Sequence, residues 1–291
     1  MFKIKAFTLV ELLVVIAVVG LLSTVVLVIT QGVGEQGRIA KGLQFSQHLE
    51  NSLGAYLVGR WNFDEGSGST AKDSSGWEND GSLINSPVWR CTSTDTSSGQ
   101  GCSLEFNGST QYFNAGNDAS FNITNAITLE IWFKSNNAGS TSRLISKQCV
   151  DTSELTADSC FQLGHYQTNF RFSLYTDQDS IDRRVGTPVT GVWYHFVGTW
   201  DGFKYYMYVN GQQIDSGSLI GTLKTNSNTP LTIATSYGNG PDYFFGGFID
   251  EVRIYDRSLT SAQIKSRYYT GWYKLLAKGS INKEEYQKGL F

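Results

Sequence analysis

The sequence predicts a long N-terminal α-helix followed by an all-β, antiparallel sandwich of two sheets, with short helices at the C-terminus. Three observations support this fold class. An apolar run of 23 residues, interrupted by one charged residue, occupies positions 7–29. Beyond Gly59, apolar and polar residues alternate in short segments that end at Gly, Asn, Asp or Ser. The chain combines 13% aromatic with only 17% charged residues, which favours a packed β domain over a disordered chain.

The apolar run is long enough to cross a hydrocarbon core of ~30 Å as a helix. Lys3 and Lys5 precede it, and the positive-inside rule therefore leaves the N-terminus in the cytoplasm. Glu11 lies inside the run, where an ionised carboxylate costs roughly 2.5–3.5 kcal/mol. A partner for this charge is expected. The alternative is a plain signal-anchor helix with an incidental glutamate.

Residues 6–22, AFTLVELLVVIAVVGLL, resemble the N-terminal signature of type IV pilins and type II secretion pseudopilins. The resemblance implies that a prepilin peptidase removes the leader 1–6 by cutting between Ala6 and Phe7, and that Phe7 is then N-methylated. Glu11 matches the family's glutamate at the fifth mature position, which pairs with the N-terminal amine of a neighbouring subunit. Ala6 departs from the usual glycine, so slower processing is expected. The implied partners are the peptidase and other pilin or pseudopilin subunits.

The helix is expected to continue as an amphipathic stem, so that the transmembrane and stem helix covers 7–58. Apolar residues recur there at approximately helical spacing. They are Ile39, Leu43, Leu49, Leu53 and Leu57. The apolar face must pack either against the C-terminal domain or against neighbouring helices in a fibre, and the sequence leaves both open.

Positions 59–271 are predicted to form one antiparallel β domain. In 192–216, the dipeptides Asp201-Gly202 and Asn210-Gly211 indicate type I′ turns and hence a meander of three strands. Other strands are predicted at 103–107, 127–133, 143–147, 170–175, 231–235 and 247–255. Together these strands fit a sandwich of two curved sheets.

Short helices are predicted to close the chain. Leu259–Tyr269 is expected to be helical, with Ser258 or Thr260 as its N-cap. In the tail 272–291, Asn282 and Glu285 resemble a capping box and predict further helix.

The four cysteines predict two local disulfides. Cys91 and Cys102 are separated by the same spacing as Cys149 and Cys160, and neither pair has the short spacing of a zinc knuckle. Disulfides require an oxidising compartment, outside the cytoplasm. Four free cysteines are the alternative.

Five segments resemble the laminin-G-like jelly roll of the concanavalin A-like lectin/glucanase superfamily, over about 59–271. They are WNFDEGSGSTAKDSSG (61–76), LEFNG (104–108), WYHFVGTWDG (193–202), YVNG (208–211) and FIDEVRIY (248–255). The resemblance implies a structural Ca²⁺ held by Asp64 and Asp250, with the carbonyl near Gly108 as a third ligand and Asp73 as a further candidate. Alternatively, Asp64 and Asp73 form turns and Asp250 is a solvated strand residue.

The sequence favours binding over catalysis. A retaining glycosidase needs two carboxylates on one face, and related laminarinases place them on one strand in an E-x-D-x-x-E or similar pattern. No such pattern occurs here, and the adjacent pairs Asp64-Glu65 and Asp250-Glu251 point to opposite faces of a strand. His195 is interpreted as a packed or hydrogen-bonded strand residue. A net charge of −3 provides no basic field for nucleic acid. Sugars stack on exposed rings, for which Trp77, Trp89, Tyr237 and Tyr243 are candidates. Trp132, Trp193 and Trp200 are assigned to the core.

The combined expectation is a non-enzymatic, single-pass surface protein that displays its head on a pilus or at the cell surface. The head would serve adhesion or carbohydrate binding, to a glycan or an extracellular-matrix ligand. The alternatives are a structural minor pseudopilin, whose head only packs in an assembly, and a glycoside hydrolase.

Overall fold

The computed structural model describes residues 47–149, 158–225, 228–237 and 241–277, with isolated positions between 37 and 45. The predicted leader, the membrane helix at 7–29 and the capping box at Asn282 and Glu285 lie outside these residues. In the part of the chain that the structure describes, no helix is both long and apolar enough to cross a membrane.

The described elements are mainly short strands. They are β1 (Leu57–Trp61), β2 (Thr70–Ala71), β3 (Gly81–Ile84), β4 (Val88–Arg90), β5 (Ser103–Asn107), β6 (Tyr112–Asn114), β7 (Ile127–Ser135), β8 (Ser142–Cys149), β9 (Asp158–Tyr166), β10 (Asn169–Tyr175), β11 (Ser180–Val185), β12 (Trp193–Trp200), β13 (Lys204–Val209), β14 (Gln212–Ser218), β15 (Leu231–Ile233), β16 (Ser236–Tyr237), β17 (Pro241–Asp242) and β18 (Gly246–Tyr255). The helices are α1 (residues 47–53), the 3₁₀ turns Gly54–Tyr56 and Ala119–Phe121, and α2 (Ser261–Ala277).

The strands form the predicted antiparallel sandwich with a jelly-roll-like arrangement. The first sheet has the order β14-β13-β12-β7-β18-β5-β4, and β1 also pairs with β18. The second sheet has the order β11-β10-β9-β8-β15-β6-β3-β2. Each predicted strand segment coincides with or overlaps an observed strand. The first strand begins at Leu57, before the predicted domain boundary, because Leu57 already pairs with Tyr255.

The side chains of β7 alternate between two buried faces, which explains why such segments form strands. Successive side chains of a strand point to opposite faces. Leu129 and Ile131 enter the core between the sheets, whereas Glu130 and Trp132 lie on the outer face, which α2 covers. The ring of Trp132 stacks on Tyr268 of α2, with 5.7 Å between centroids. Both faces of β7 are therefore buried.

The two hairpin predictions had different outcomes. Asn210 and Gly211 have φ of 51° and 74°, as a type I′ turn requires, so that prediction is confirmed. In the other hairpin the Asp201 N–H donates to the Lys204 carbonyl, so Gly202 and Phe203 are the central residues. Of these two, only Gly202 has a positive φ, 97°, whereas a type I′ turn requires a positive φ at both central residues, so the predicted type I′ turn is wrong.

The Asp201 side chain explains this difference. Its Oδ1 accepts the backbone N–H groups of Phe203 and Lys204, at 2.9 and 2.7 Å. These bonds hold Asp201 at the first position of the turn rather than the second.

Helix α2 begins after Thr260, one of the two predicted N-cap residues, and Thr260 forms a capping box with Gln263. Thr260 Oγ1 accepts the Gln263 N–H, and Gln263 Oε1 accepts the Thr260 N–H. The helix continues to Ala277, beyond the predicted end at Tyr269.

The end of the stem packs against the head. Leu49, Leu53 and Leu57 are 6%, 2% and 7% exposed and form an apolar cluster with Tyr255 and Ile264. Burying each leucine stabilises the fold by roughly 1.5–3 kcal/mol. For these leucines the C-terminal domain is therefore the packing partner, whereas Ile39 and Leu43 lie outside the described residues.

Charged side chains beside these leucines form what we call the charge cluster: Glu50 of α1, Arg60 of β1, Glu130 of β7, Arg253 of β18 and Arg267 of α2. Arg267 Nε donates to both carboxylate oxygens of Glu130, at 2.8 and 2.6 Å, and its Nη1 donates to Glu50 at 3.0 Å. Arg60 Nη1 donates to the other Glu50 oxygen at 2.7 Å. The cluster thus joins both helices to the first sheet.

Opposite charges keep the buried Glu130 ionised. Burial by itself raises a carboxyl pKa, but the charge of Arg267, the hydrogen bond with His195 and the charge of Arg253 hold the pKa of Glu130 below its ordinary value. His195 Nε2 lies 3.1 Å from Glu130 Oε1. Burial lowers the pKa of His195, so its ring is neutral at pH 7. The interpretation of His195 as a hydrogen-bonded strand residue is confirmed.

Replacing Arg267 with Met is expected to lower the free energy of unfolding by about 3–5 kcal/mol, because the buried Glu130 charge loses the guanidinium whose Nε donates to both of its oxygens. The matched control is Arg183→Met, which breaks an ion pair with Asp215 in which the Arg183 side chain is 46% exposed. The control is expected to cost less than about 1 kcal/mol. Urea titrations of the full chain in detergent, followed by tryptophan fluorescence, measure both losses. Equal losses would contradict this account of the charge cluster.

Candidate functional site

A cleft of about 470 Å³ opens where the connections β5–β6, β7–β8 and β17–β18 meet. Its lining residues are Val88, Glu105, Phe106, Asn107, Gly108, Gln111, Asn136, Asn137, Ser140, Phe244 and Gly246. Polar side chains of turns therefore surround an opening with an aromatic ring on one wall.

Hydrogen bonds to the backbone fix the shape of this cleft. Asn107 Oδ1 accepts successive N–H groups of its own turn, and Gln111 Nε2 donates to the Ser86 carbonyl at 2.8 Å. Gly108 has a φ of 74°, and a Cβ there would lie 3.2 Å from the Gly246 Cα. A side chain at position 108 would therefore press against the opposite wall.

Asn136 and Phe244 are among the lining side chains that remain available to a ligand. Asn136 is exposed, and its amide makes no hydrogen bond to any residue that the structure describes. Phe244 is half-buried, and its ring lies 6.3 Å from that of Tyr112. Glu105, by contrast, accepts a hydrogen bond from Arg90 Nε at 2.7 Å. The free groups are thus an amide, which bonds hydroxyls, and a ring, which packs against the C–H face of a sugar.

None of the four rings proposed from the sequence lines the cleft. Trp77 is 56% exposed, and Trp89 packs against the core and donates to the Gly68 carbonyl. Tyr237 lies beside Tyr112, with 6.3 Å between ring centroids. Tyr243 is 48% exposed and directly precedes Phe244. Trp132 and Trp200 are buried as predicted, and Trp193 is half-buried.

Both predicted disulfides are present, between Cys91 and Cys102 and between Cys149 and Cys160. The Cys91–Cys102 disulfide closes a loop whose polar groups donate hydrogen bonds to two carboxylates. Asp64 Oδ1 accepts the Cys102 N–H at 2.9 Å. Asp250 Oδ2 accepts the N–H and the hydroxyl of Ser97, at 2.9 and 2.8 Å. The structure therefore brings these two predicted ligands to the same loop.

Asp250 is 2% exposed, so it is not a solvated strand residue. Burial and the negative charges of Glu251 and Asp64 raise the pKa of Asp250 well above its ordinary value, although hydrogen bonds from Ser97 act in the opposite direction. A cation bound beside this carboxylate would reverse that shift by favouring the ionised form. Ca²⁺ sites in irregular loops often combine one or two carboxylates with carbonyl oxygens, so the residues fit such an ion.

The other two predicted ligands lie elsewhere. Asp73 accepts hydrogen bonds from three backbone N–H groups and from the Ser75 hydroxyl, which is the turn-forming role left open by the sequence. Gly108 faces Gly246, which is about 13 Å along β18 from Asp250 at ~3.3 Å per residue. Among the described residues, no three His, Cys, Asp or Glu side chains are grouped to hold a metal.

A two-sheet jelly roll with an amide- and ring-lined cleft defines a lectin-like β domain. Residues 107–265 match the laminin-G-type profile of the concanavalin A-like lectin/glucanases superfamily, and the chain belongs to that superfamily. Strands before residue 107 pair with strands inside the match, so they are part of the same sandwich. Residues 1–27 match the prokaryotic N-terminal methylation motif. Both predicted resemblances are confirmed.

Several solved structures share the fold. The binding domain of Paraclostridial Mosquitocidal Protein 1 is 14% identical, with a TM-score of 0.57 over 75% of this chain and 53% of that chain. Domain 4 of the GH43 arabinanase AbnA from Geobacillus stearothermophilus, in complex with arabinotriose, is 19% identical, with a TM-score of 0.56 over 72% of this chain and 97% of that chain. The receptor binding domain of botulinum neurotoxin C/D mosaic serotype is 11% identical, with a TM-score of 0.56 over 75% and 52%.

At these identities the likeness establishes the fold alone. The chain spans about half the length of the two toxin domains, with 53% and 52% covered. No curated protein sequence matches this chain.

Sequence reasoning missed the lining side chains Asn136 and Phe244. The available signal was the polar stretch directly after β7, which marks a turn at the end of a central strand. Turns at strand ends commonly carry ligand-binding residues. That signal does not say which other turns lie beside it, because that depends on strand register.

Proposed function

We propose that this chain is a pilin-like surface protein that displays its jelly-roll head for adhesion by binding carbohydrate. The observation that carries the proposal is the cleft, where the free amide of Asn136 and the ring of Phe244 face one opening. The methylation motif at 1–27 supports presentation of the head outside the cytoplasmic membrane. Both disulfides support an oxidising compartment.

The fold comparisons also support a binding role. The arabinanase domain is described in complex with arabinotriose, and the two toxin domains are described as binding domains. We propose that the ligand of this head is likewise a glycan, free or carried by extracellular matrix.

We propose that the head acts without catalysis. A retaining glycosidase needs two carboxyl groups ~5–5.5 Å apart. Glu105 is the acidic residue in the cleft lining, and Arg90 pairs with it. One paired carboxylate does not supply both an acid and a nucleophile.

On a glycan array, the detergent-solubilised full chain is expected to bind a subset of glycans. Phe244→Ala and Asn136→Ala should each weaken that binding about tenfold, since each removes an available contact. The matched control is Trp77→Ala, which removes an exposed ring that does not line the cleft, and it should leave binding unchanged.

The array is run with and without Ca²⁺. Absence of binding under both conditions would favour a structural minor pseudopilin whose head only packs against neighbouring subunits. Release of reducing sugar from β-glucans would instead indicate a glycoside hydrolase.

The proposed assembly into filaments is based on the N-terminal methylation motif. We propose that prepilin peptidase cuts between Ala6 and Phe7, and that the new Phe7 amine of one subunit pairs with Glu11 of its neighbour. This pairing offsets the cost of a carboxylate in the bilayer and sets the stagger of adjacent helices. The alternative is that Glu11 is protonated and has no role in assembly.

Glu11→Gln is expected to insert into the membrane and to be cleaved, but to enter filaments poorly, because it keeps the shape of the side chain without the charge. Glu78→Gln in the head is the matched control. Quantitative immunoblots of sheared filaments and membranes measure the incorporated fraction, and mass spectrometry establishes the mature N-terminus. Incorporation of Glu11→Gln at the control level would show that charge pairing is unnecessary. An N-terminus still at Met1 would remove the pilin assignment.

We further propose that Asp64 and Asp250 hold a structural Ca²⁺ ion against the loop closed by Cys91 and Cys102. The supporting observation is the buried Asp250 carboxylate, whose ionisation Glu251 and Asp64 disfavour. Bound Ca²⁺ would neutralise this acidic group and fix the loop to β18.

Asp250→Asn is expected to abolish stabilisation by Ca²⁺. For the wild type, ~1 mM Ca²⁺ should raise the Tm by about 3–6 °C at neutral pH. Because the folded-state pKa of Asp250 is raised, its protonation stabilises the Ca²⁺-free fold at low pH, and this contribution is lost as the pH rises through that pKa. In EDTA, Asp250→Asn should therefore gain in Tm relative to the wild type between about pH 5 and neutral pH, because only the wild type loses this contribution.

Thermal melts of the full chain at both pH values, with EDTA or Ca²⁺, measure these effects. Asp73→Asn is the control, since Asp73 forms a turn away from the proposed ion. That variant should keep the Ca²⁺-dependent shift. An unchanged Ca²⁺ response in Asp250→Asn would refute the site.

A further inference from the structure

Three arginines lie in one row across the second sheet. Arg143 of β8 and Arg171 of β10 are both opposite Gly164 of β9, and Arg171 is also opposite Arg184 of β11. Neighbouring strands are about 4.8 Å apart, so the Cα atoms of Arg143 and Arg171 are about 10 Å apart, with only a glycine between them. Leu163, adjacent to Gly164, points into the core. The row therefore lies on the outer face of the sheet.

The arginine row carries more positive than negative charge. Asp182 pairs with both Arg171, at 2.6 Å, and Arg184. Arg143 has no ion pair among the described residues, and the charges of Asp182 and Asp242 reach it only at longer range. Burial, reinforced by the charge of Arg171, lowers the pKa of Arg143 to about 10. Three arginines against Asp182 and Asp242 thus leave one net positive charge for a monovalent anion.

Several donors of the row are buried without acceptors. Arg143 and Arg171 are 6% and 9% exposed. Within the described part of the chain, Nε and Nη1 of Arg143 and Nη1 of Arg171 have no hydrogen-bond partner. A buried donor without an acceptor is costly, and more so when it is charged. An anion with two oxygens supplies the missing acceptors, and a planar carboxylate matches the guanidinium fork.

Aromatic rings flank the same row. Tyr243 stacks on Arg143, with 4.4 Å from Cζ to the ring centroid, and Tyr166 stacks on Arg184 at 3.6 Å. Tyr243 directly precedes Phe244 of the cleft, and its carbonyl accepts the Arg143 N–H at 2.9 Å. The arginine row and the cleft are therefore neighbours, with a half-exposed ring at their border.

We infer that the arginine row binds the carboxylate of an acidic sugar, a uronic or sialic acid. This inference rests on the proposed carbohydrate-binding function and names its ligand class. The carboxylate is held by Arg143 and Arg171, and the sugar ring packs beside Tyr243. The adjacent residues of the same glycan then reach the cleft at Phe244.

The test uses an array of oligosaccharides that contain uronic or sialic acids, each beside its carboxyl-reduced counterpart. The full chain in detergent is expected to bind the carboxylated forms about tenfold or more tightly than the reduced forms. Arg143→Gln should lower binding of the carboxylated forms to the level of the reduced forms. Arg143→Lys, which keeps the charge but not the fork, should fall between them. Arg183→Gln, an exposed arginine paired with Asp215, should bind as the wild type does.

The outcomes separate this inference from the proposed function. Equal binding of carboxylated and reduced forms by the wild type overturns the arginine site but leaves carbohydrate binding in place. Absence of binding to either form overturns both. Thermal melts establish that each variant is folded, and should Arg143→Gln fail to fold, wild-type binding by Arg143→Lys overturns the inference on its own.

Discussion

The buried carboxylate of Glu130 constrains the elements around it. Glu130 is only 1% exposed, and a charge buried to this extent is tolerated only when its partners remain in place. Arg267 therefore fixes α2 against the first sheet, and because the same guanidinium also bonds Glu50, it fixes the end of the stem as well. The apolar cluster of Leu49, Leu53 and Leu57 supplies the burial on which this arrangement depends. The position of the end of the stem on the head thus depends on the buried Glu130 carboxylate.

This arrangement gives the two sheets different outer faces. The first sheet is covered by both helices, so its outer residues, such as Trp132, serve packing. The second sheet carries the arginine row on its outer face, and the cleft opens where connections between strands meet. The described end of the stem therefore lies on one side of the sandwich, and the surfaces proposed to bind ligand lie away from it. This separation suits the proposed display of the head by an N-terminal helix.

The loop closed by Cys91 and Cys102 is held both by a local disulfide and by hydrogen bonds to residues distant in sequence. The disulfide restricts the loop, but Asp64 and Asp250 determine where it lies, by accepting its N–H and hydroxyl groups. Asp250 is held in a buried, acidic environment as a result.

The sequence by itself determined the features that depend on neighbouring residues. Alternation predicted the strands, Asn210-Gly211 predicted a type I′ turn, the choice of Ser258 or Thr260 as N-cap predicted the start of α2, and equal spacing predicted the disulfides. Backbone preference and side-chain periodicity operate over a few residues, so they are visible along the chain. Only the tertiary structure decided which distant residues meet. Strand register placed Arg143 beside Arg171, separated Gly108 from Asp250, and brought Asn136 and Phe244 to one cleft. Register depends on the whole core, because shifting a strand by one residue turns its buried side chains outward.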